Sequence, residues 1–161
     1  MYRVHPQTAR LLSLIREGVV GEVRMIQSSF GFAMPKFDPK HRLYANDLAG
    51  GGILDVGCYP VSMARLIAGA AVGEPYVEPE RVAGTAHLGQ SGVDEWASAV
   101  LRFASGIVAE VSCAISLRLE NVLRVFGSAG RIEVADFWFA SGREGGVGRI
   151  VVETGSPVPA W

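Results

Sequence analysis

Residues 93–117 read VDEWASAVLRFASGIVAEVSCAISL. Two runs of strand formers flank Ser105-Gly106, a pair suited to a tight turn, and the stretch therefore predicts a β-hairpin. Strands joined so closely must pair antiparallel. In AVLRFA and IVAEVSCAI only Arg102 and Glu110 interrupt long apolar runs, whereas a sheet with one face in water alternates polar and apolar residues. Helices can cover one face of such a sheet, and the other face is expected to meet a second subunit.

The pattern continues on both sides of the hairpin. RVAGTAHLG (81–89) precedes it, and NVLRVFG (121–127) and RIEVAD (131–136) follow, joined through Ser128-Ala129-Gly130. The half from Arg81 onward thus predicts a meander of neighbouring strands, with SGREGGVGR (141–149) as a mobile loop. Helical signals lie upstream. Pro6 suits a first helical turn, Leu11, Leu12, Leu14 and Ile15 recur at helical spacing, and Gly18 offers a stop. EVRMIQSSFGF (22–32) reads as a strand, MPKFDPKHRLYAND (34–47) as an irregular loop able to border a site, and VSMARLIA (61–68) as a second helix. The fold class expected is α+β: one domain over residues 1–161, an open, mainly antiparallel sheet with helices on one face.

A chain of 161 residues that is 49% hydrophobic can bury a core of ordinary size. With 15 basic and 16 acidic residues, net charge −1, it has no electrostatic footprint for DNA or RNA. No apolar run approaches the ~20 residues of a membrane span, and MYRVHPQTAR lacks the build of a signal peptide, so a cytoplasmic location is expected. Cys58 and Cys113 lie in apolar periodic segments and are expected to be reduced, buried thiols. His5, His41 and His87 are too scattered for a metal site on one element.

Chemistry concentrates in LAGGGILDVGCYPVSMARLIAG (48–69). Gly50, Gly51 and Gly52 let the main chain approach another surface closely, at about 0.5–1 kcal/mol each relative to alanine in regular structure. On a helix, Asp55 and Tyr59 at i and i+4 would share a face with Cβ atoms about 6 Å apart, near enough to act on one bound molecule. A phenol titrates near pH 10, so proton transfer at neutral pH needs a cation beside it, and no lysine lies close in sequence to Tyr59. Pro60 means that the helix either starts there or kinks. Each feature also has a purely structural explanation: a loop, a helix-start acid and a core tyrosine. The triplet lacks the order and context of a dinucleotide loop.

These segments resemble one known family. GGGILDVGCYPVSMARLIAG, YRVHP near the start, LIREGVVGEVR after it, VDEWASAVLRFASGIVAEV and VFGSAGRIEV follow in the order of the second domain of the Gfo/Idh/MocA oxidoreductases. LAGGGILDVGCY is most similar to the branch of glucose-fructose oxidoreductase, NADP-dependent xylose dehydrogenases and dimeric dihydrodiol dehydrogenases. The resemblance implies a C-terminal domain like that of glyceraldehyde-3-phosphate dehydrogenase, working with an N-terminal Rossmann domain that binds NAD or NADP and supplies an EKP-type lysine. Neither that domain nor the family's full C-terminal end is found in these 161 residues. It further implies Tyr59 as proton donor or acceptor, Asp55 as substrate ligand and a homo-oligomer built through the sheet; Arg3 and Arg42 are candidates for lining the cleft, with surface charge as the alternative role of both. Two functions follow as expectations. One is the substrate half of an NAD(P)-dependent oxidoreductase of sugars, polyols or diols, inactive and cofactor-free on its own; the other is a stand-alone homodimeric module without catalysis.

Overall fold

The computed structural model describes residues 2–139 and 148–155. A short 3-10 turn, Tyr2–Val4, leads into helix α1, Pro6–Arg16. Pro6 occupies the first turn, where its missing N–H leaves nothing unpaired, and His5 Nδ1 accepts from the Gln7 N–H at 3.1 Å. The buried face of α1 presents Leu11, Leu14 and Ile15 at the predicted spacing. Strand β1, Val23–Gly31, follows. Helix α2, Cys58–Val72, closes on Gly73 at φ +82°, a left-handed stop that glycine adopts without a Cβ penalty.

The remaining strands are β2 (Arg81–Leu88), β3 (Asp94–Arg102), β4 (Val108–Ala114), β5 (Leu123–Gly127), β6 (Gly130–Val134) and β7 (Val151–Thr154). They form a seven-stranded sheet in the order β2-β3-β4-β1-β5-β6-β7. The expected fold class holds, as does the β3–β4 hairpin, whose turn places Gly106 at φ +88°. The uninterrupted meander does not. β4 and β5 are not neighbours: β1 lies between them, parallel to β4 and antiparallel to β5. The connection 115–122 therefore passes over the end of β1. Asn121, 2% exposed, accepts the Gly31 N–H at 2.7 Å there, and a Cβ on Gly31 would stand 2.6 Å from Leu119 Cγ. Glycine is required because the crossing chain leaves no room for a side chain. Strand β7 adds an edge beyond the expected strands, while the loop at 141–149 lies outside the described residues except at Gly148 and Arg149.

One face of the sheet carries the core. Ile26, Leu101, Val111, Leu123, Val125 and Ile132 pack with Leu11, Met63 and Ile67 of the two helices; each such fully buried side chain contributes about 1.5–3 kcal/mol. Residues 46–72 (Asn46–Val72) pass, by length and composition alone, as long and apolar enough to cross a membrane, but half of the apolar 18-residue window within them is buried in this fold. The opposite face is divided. Toward β2 and β3, His87 stacks on Trp96 at 3.9 Å beside exposed Val100. Toward β7, Arg124 pairs with Glu133 at 2.8 Å and Arg131 with Glu153 at 2.9 Å. The polar half of this face was hidden in the sequence because β1 separates β4 from β5.

Candidate functional site

The glycine triplet is shaped by a carboxylate from the sheet. Gly50 and Gly51 donate their N–H groups to Ala45 O and Leu43 O, pinning the triplet to the preceding loop. Gly51 sits at φ +114°, and a Cβ there would stand 2.3 Å from Asp94 Oδ1. Asp94 Oδ2 accepts the Ile53 N–H at 2.6 Å. The first residue of β3 thus caps the helical segment from across the fold, placing negative charge at its N-terminus. Sequence reasoning missed Asp94, whose one signal is an acid opening an apolar strand.

Between the triplet and α2, residues Ile53–Gly57 form a π-helical turn, with the Cys58 N–H reaching back to Ile53 O. Pro60 then falls in the first turn of α2, where an absent donor is tolerated. Gly57 lets the segment press on β4, since a Cβ would lie 2.9 Å from Cys113 Sγ. Asp55 and Tyr59 consequently belong to different helical geometries and make no hydrogen bond with each other among the described residues. Asp55 Oδ1 instead accepts from Arg42 Nη1 at 2.5 Å, with Asp55 largely covered and Arg42 exposed. The loop 34–47 does border this site, as its composition suggested.

Tyr59 is half-buried in a cluster of rings. Tyr2, Phe30 and Trp138 lie 5.3, 5.4 and 6.0 Å from it, centroid to centroid. Trp138 donates its Nε1–H to Ser29 O at 2.7 Å and stacks on Phe30. The Tyr59 hydroxyl has no hydrogen-bond partner among the described residues, and it is not among their buried unpaired polar atoms. Burial pushes the Tyr2 phenol above its ordinary value, opposed by a hydrogen bond with Ser62 and the charge of nearby Arg3.

Arg3 is exposed on the 3-10 turn next to Tyr2, while Arg42 reaches the site through Asp55. Phe30, Tyr2 and Trp138 were not foreseen as site residues; only Tyr2 lay inside a noticed motif, YRVHP. Cys113 is buried as expected, but Cys58 is exposed, because the first residue of α2 points away from the sheet. His5 and His41 accept hydrogen bonds from nearby backbone N–H groups and His87 stacks on Trp96, so each histidine has a local structural role. On the other flank of α2, a groove of about 550 Å³ runs between Pro60, Val61 and Arg65 and the small residues Gly84, Ala86 and Ala99 of β2 and β3.

With this arrangement in view, residues 8–133 match the family model described as the GFO/IDH/MocA C-terminal domain. The chain belongs to the GFO/IDH/MocA family. Among curated relatives of this GFO/IDH/MocA domain, the trans-1,2-dihydrobenzene-1,2-diol dehydrogenase of Mus musculus is 30% identical, covering 84% of this chain and 38% of the relative. The D-xylose 1-dehydrogenase (NADP(+)) 2 of Haloferax volcanii is 34% identical, covering 100% and 49%. The chain therefore spans half or less of the length of these relatives. The solved aldose-aldose oxidoreductase from Caulobacter crescentus, complexed with glycerol, superposes with TM-score 0.75 at 26% identity, over 99% of this chain and 47% of that one. A 3-ketoreductase from Actinomadura kijaniata, in complex with TDP-benzene and NADP, shares the fold at TM-score 0.74 and 23% identity, over 95% of this chain and 42% of its own.

Proposed function

We propose that this GFO/IDH/MocA domain is the substrate-binding half of an NAD(P)-dependent oxidoreductase acting on a sugar, polyol or diol, with Tyr59 as proton donor or acceptor. The observation that carries this is the setting of Tyr59: three aromatic neighbours hold its ring, while its hydroxyl has no hydrogen-bond partner among the described residues. That the curated relatives are sugar and diol dehydrogenases supports it.

The described residues do not fit a dinucleotide on their own. No strand-to-helix turn presents a glycine-rich loop of N–H groups to a pyrophosphate, and the N–H at the start of the helical segment is already taken by Asp94. The cofactor is assigned to a separate domain, and the hydride is its part of the chemistry. This chain's residues handle the proton and the substrate. Tyr59 Oη exchanges a proton with the substrate oxygen. The carboxylate of Asp55, oriented by Arg42, accepts a hydrogen bond from a hydroxyl of the substrate, and Arg3 lines the rim. A homodimer through the apolar half of the open sheet face, around Trp96 and Val100, completes the proposal.

The test is to join the chain to an NADP-binding domain of this family and to screen aldoses and cyclic diols for NADPH formation. Turnover dependent on both halves is expected. A joined, folded protein that binds NADP and oxidises none of them would leave the non-catalytic homodimeric module as the account.

A further inference from the structure

We propose that Tyr2 is a positioning residue for Tyr59: its ring is the third member of the aromatic cluster that restrains the Tyr59 ring. Phe30 meets the Tyr59 ring edge-on at 84° and Trp138 at 72°. Both are themselves fixed, since Trp138 stacks on Phe30 at 13° and is hydrogen-bonded to the backbone of β1. Tyr2 is the third neighbour, its ring centroid 5.3 Å from that of Tyr59 and tilted at 41°.

Tyr2 is anchored at both ends. Its carbonyl accepts from Thr8 Oγ1 at 2.5 Å and from the His5 N–H at 3.2 Å, which ties the backbone to the start of α1. Thr8 is 1% exposed, so this anchor is shielded from water. The ring makes edge contacts with Phe137 at 6.0 Å and Trp138 at 5.4 Å. A ring held by α1, by α2 and by the segment after β6 couples three separate parts of the chain to one phenol. Aromatic edge contacts are directional, so losing one frees rotation as well as removing area.

The inference rests on the proposed role of Tyr59 only for its use in proton transfer; the order of the ring is measurable without cofactor or substrate. Of the four tyrosines, Tyr44 and Tyr76 lie outside the cluster and serve as internal references. In the 161-residue chain carrying ring-labelled tyrosine, NMR should show the Tyr59 ring flipping about tenfold faster in Tyr2→Ala. Tyr44 and Tyr76 should be unchanged, and Tyr2→Phe should restore most of the restraint. Tyr2→Leu, which keeps volume but lacks an aromatic edge, should behave like Tyr2→Ala and serves if the latter does not fold. Tyr59 flipping at the wild-type rate in Tyr2→Leu would overturn the proposal. Equal loosening of all remaining tyrosines would overturn it too, by showing a general structural role.

Discussion

Replacing Asp94 with alanine removes the acceptor that holds the Ile53 N–H at 2.6 Å. The lost cap and the lost charge at a helix N-terminus together cost about 1–2 kcal/mol. In a domain of this length that corresponds to a fall in Tm of roughly 2–8 °C. Gly51→Ala meets two penalties. Its φ of +114° disfavours any side chain, at about 1–3 kcal/mol. The new Cβ would also stand 2.3 Å from Asp94 Oδ1, displacing the carboxylate and destroying the same cap. The double variant therefore loses the cap once rather than twice, and its destabilisation falls short of the summed single losses by about 1–2 kcal/mol. Urea denaturation of the four proteins measures this directly, with equal m-values confirming comparable unfolding. Strictly additive losses would refute the view that the triplet exists to admit Asp94.

Three further outcomes follow from other parts of the fold. Asn121→Ala leaves the buried Gly31 N–H unpaired and should cost about 1–3 kcal/mol; amide hydrogen exchange should show Gly31 losing protection, whereas Asn121→Asp keeps an acceptor there. Burial pushes the Cys113 thiol up from 9.0 to about 11, so the folded chain keeps a proton that the unfolded chain releases. Stability from this group is full below pH 9.0 and lost as pH rises toward about 11, on the order of 2 kcal/mol in all; in Cys113→Ala that alkaline decline should shrink. Arg42→Ala removes a pair whose arginine is 66% exposed and should change stability by no more than about 1 kcal/mol, while raising KM for substrate in the joined enzyme as Asp55 loses its orientation.

The sequence showed those parts of the molecule that local pattern determines. The β3–β4 and β5–β6 hairpins, α1 from Pro6 to Arg16 and the helix carrying Tyr59 follow from periodicity, turn residues and proline or glycine punctuation. What local pattern could not show depends on distant contacts. The insertion of β1 between β4 and β5 depends on Asn121 meeting Gly31 across 90 positions, and an asparagine before an apolar run looks like any turn residue. The π turn at Ile53–Gly57 is fixed by Asp94 on one side and by the close approach of Gly57 to Cys113 on the other. Asp55 and Tyr59 were visible as a pair, but their separate partners, Arg42 and the aromatic cluster, come from a loop and from three distant segments. Cys58 was misplaced because an apolar-looking window does not reveal which residue of a helix start turns outward.

The central claim, that the Tyr59 hydroxyl transfers the proton, is tested most directly by kcat of Tyr59→Phe in the chain joined to an NADP-binding domain. Phenylalanine keeps the ring and its neighbours and removes one oxygen. The account predicts a fall in kcat of about 10²–10⁴-fold, with NADP affinity and Tm unchanged. Turnover equal to that of the parent protein would contradict it.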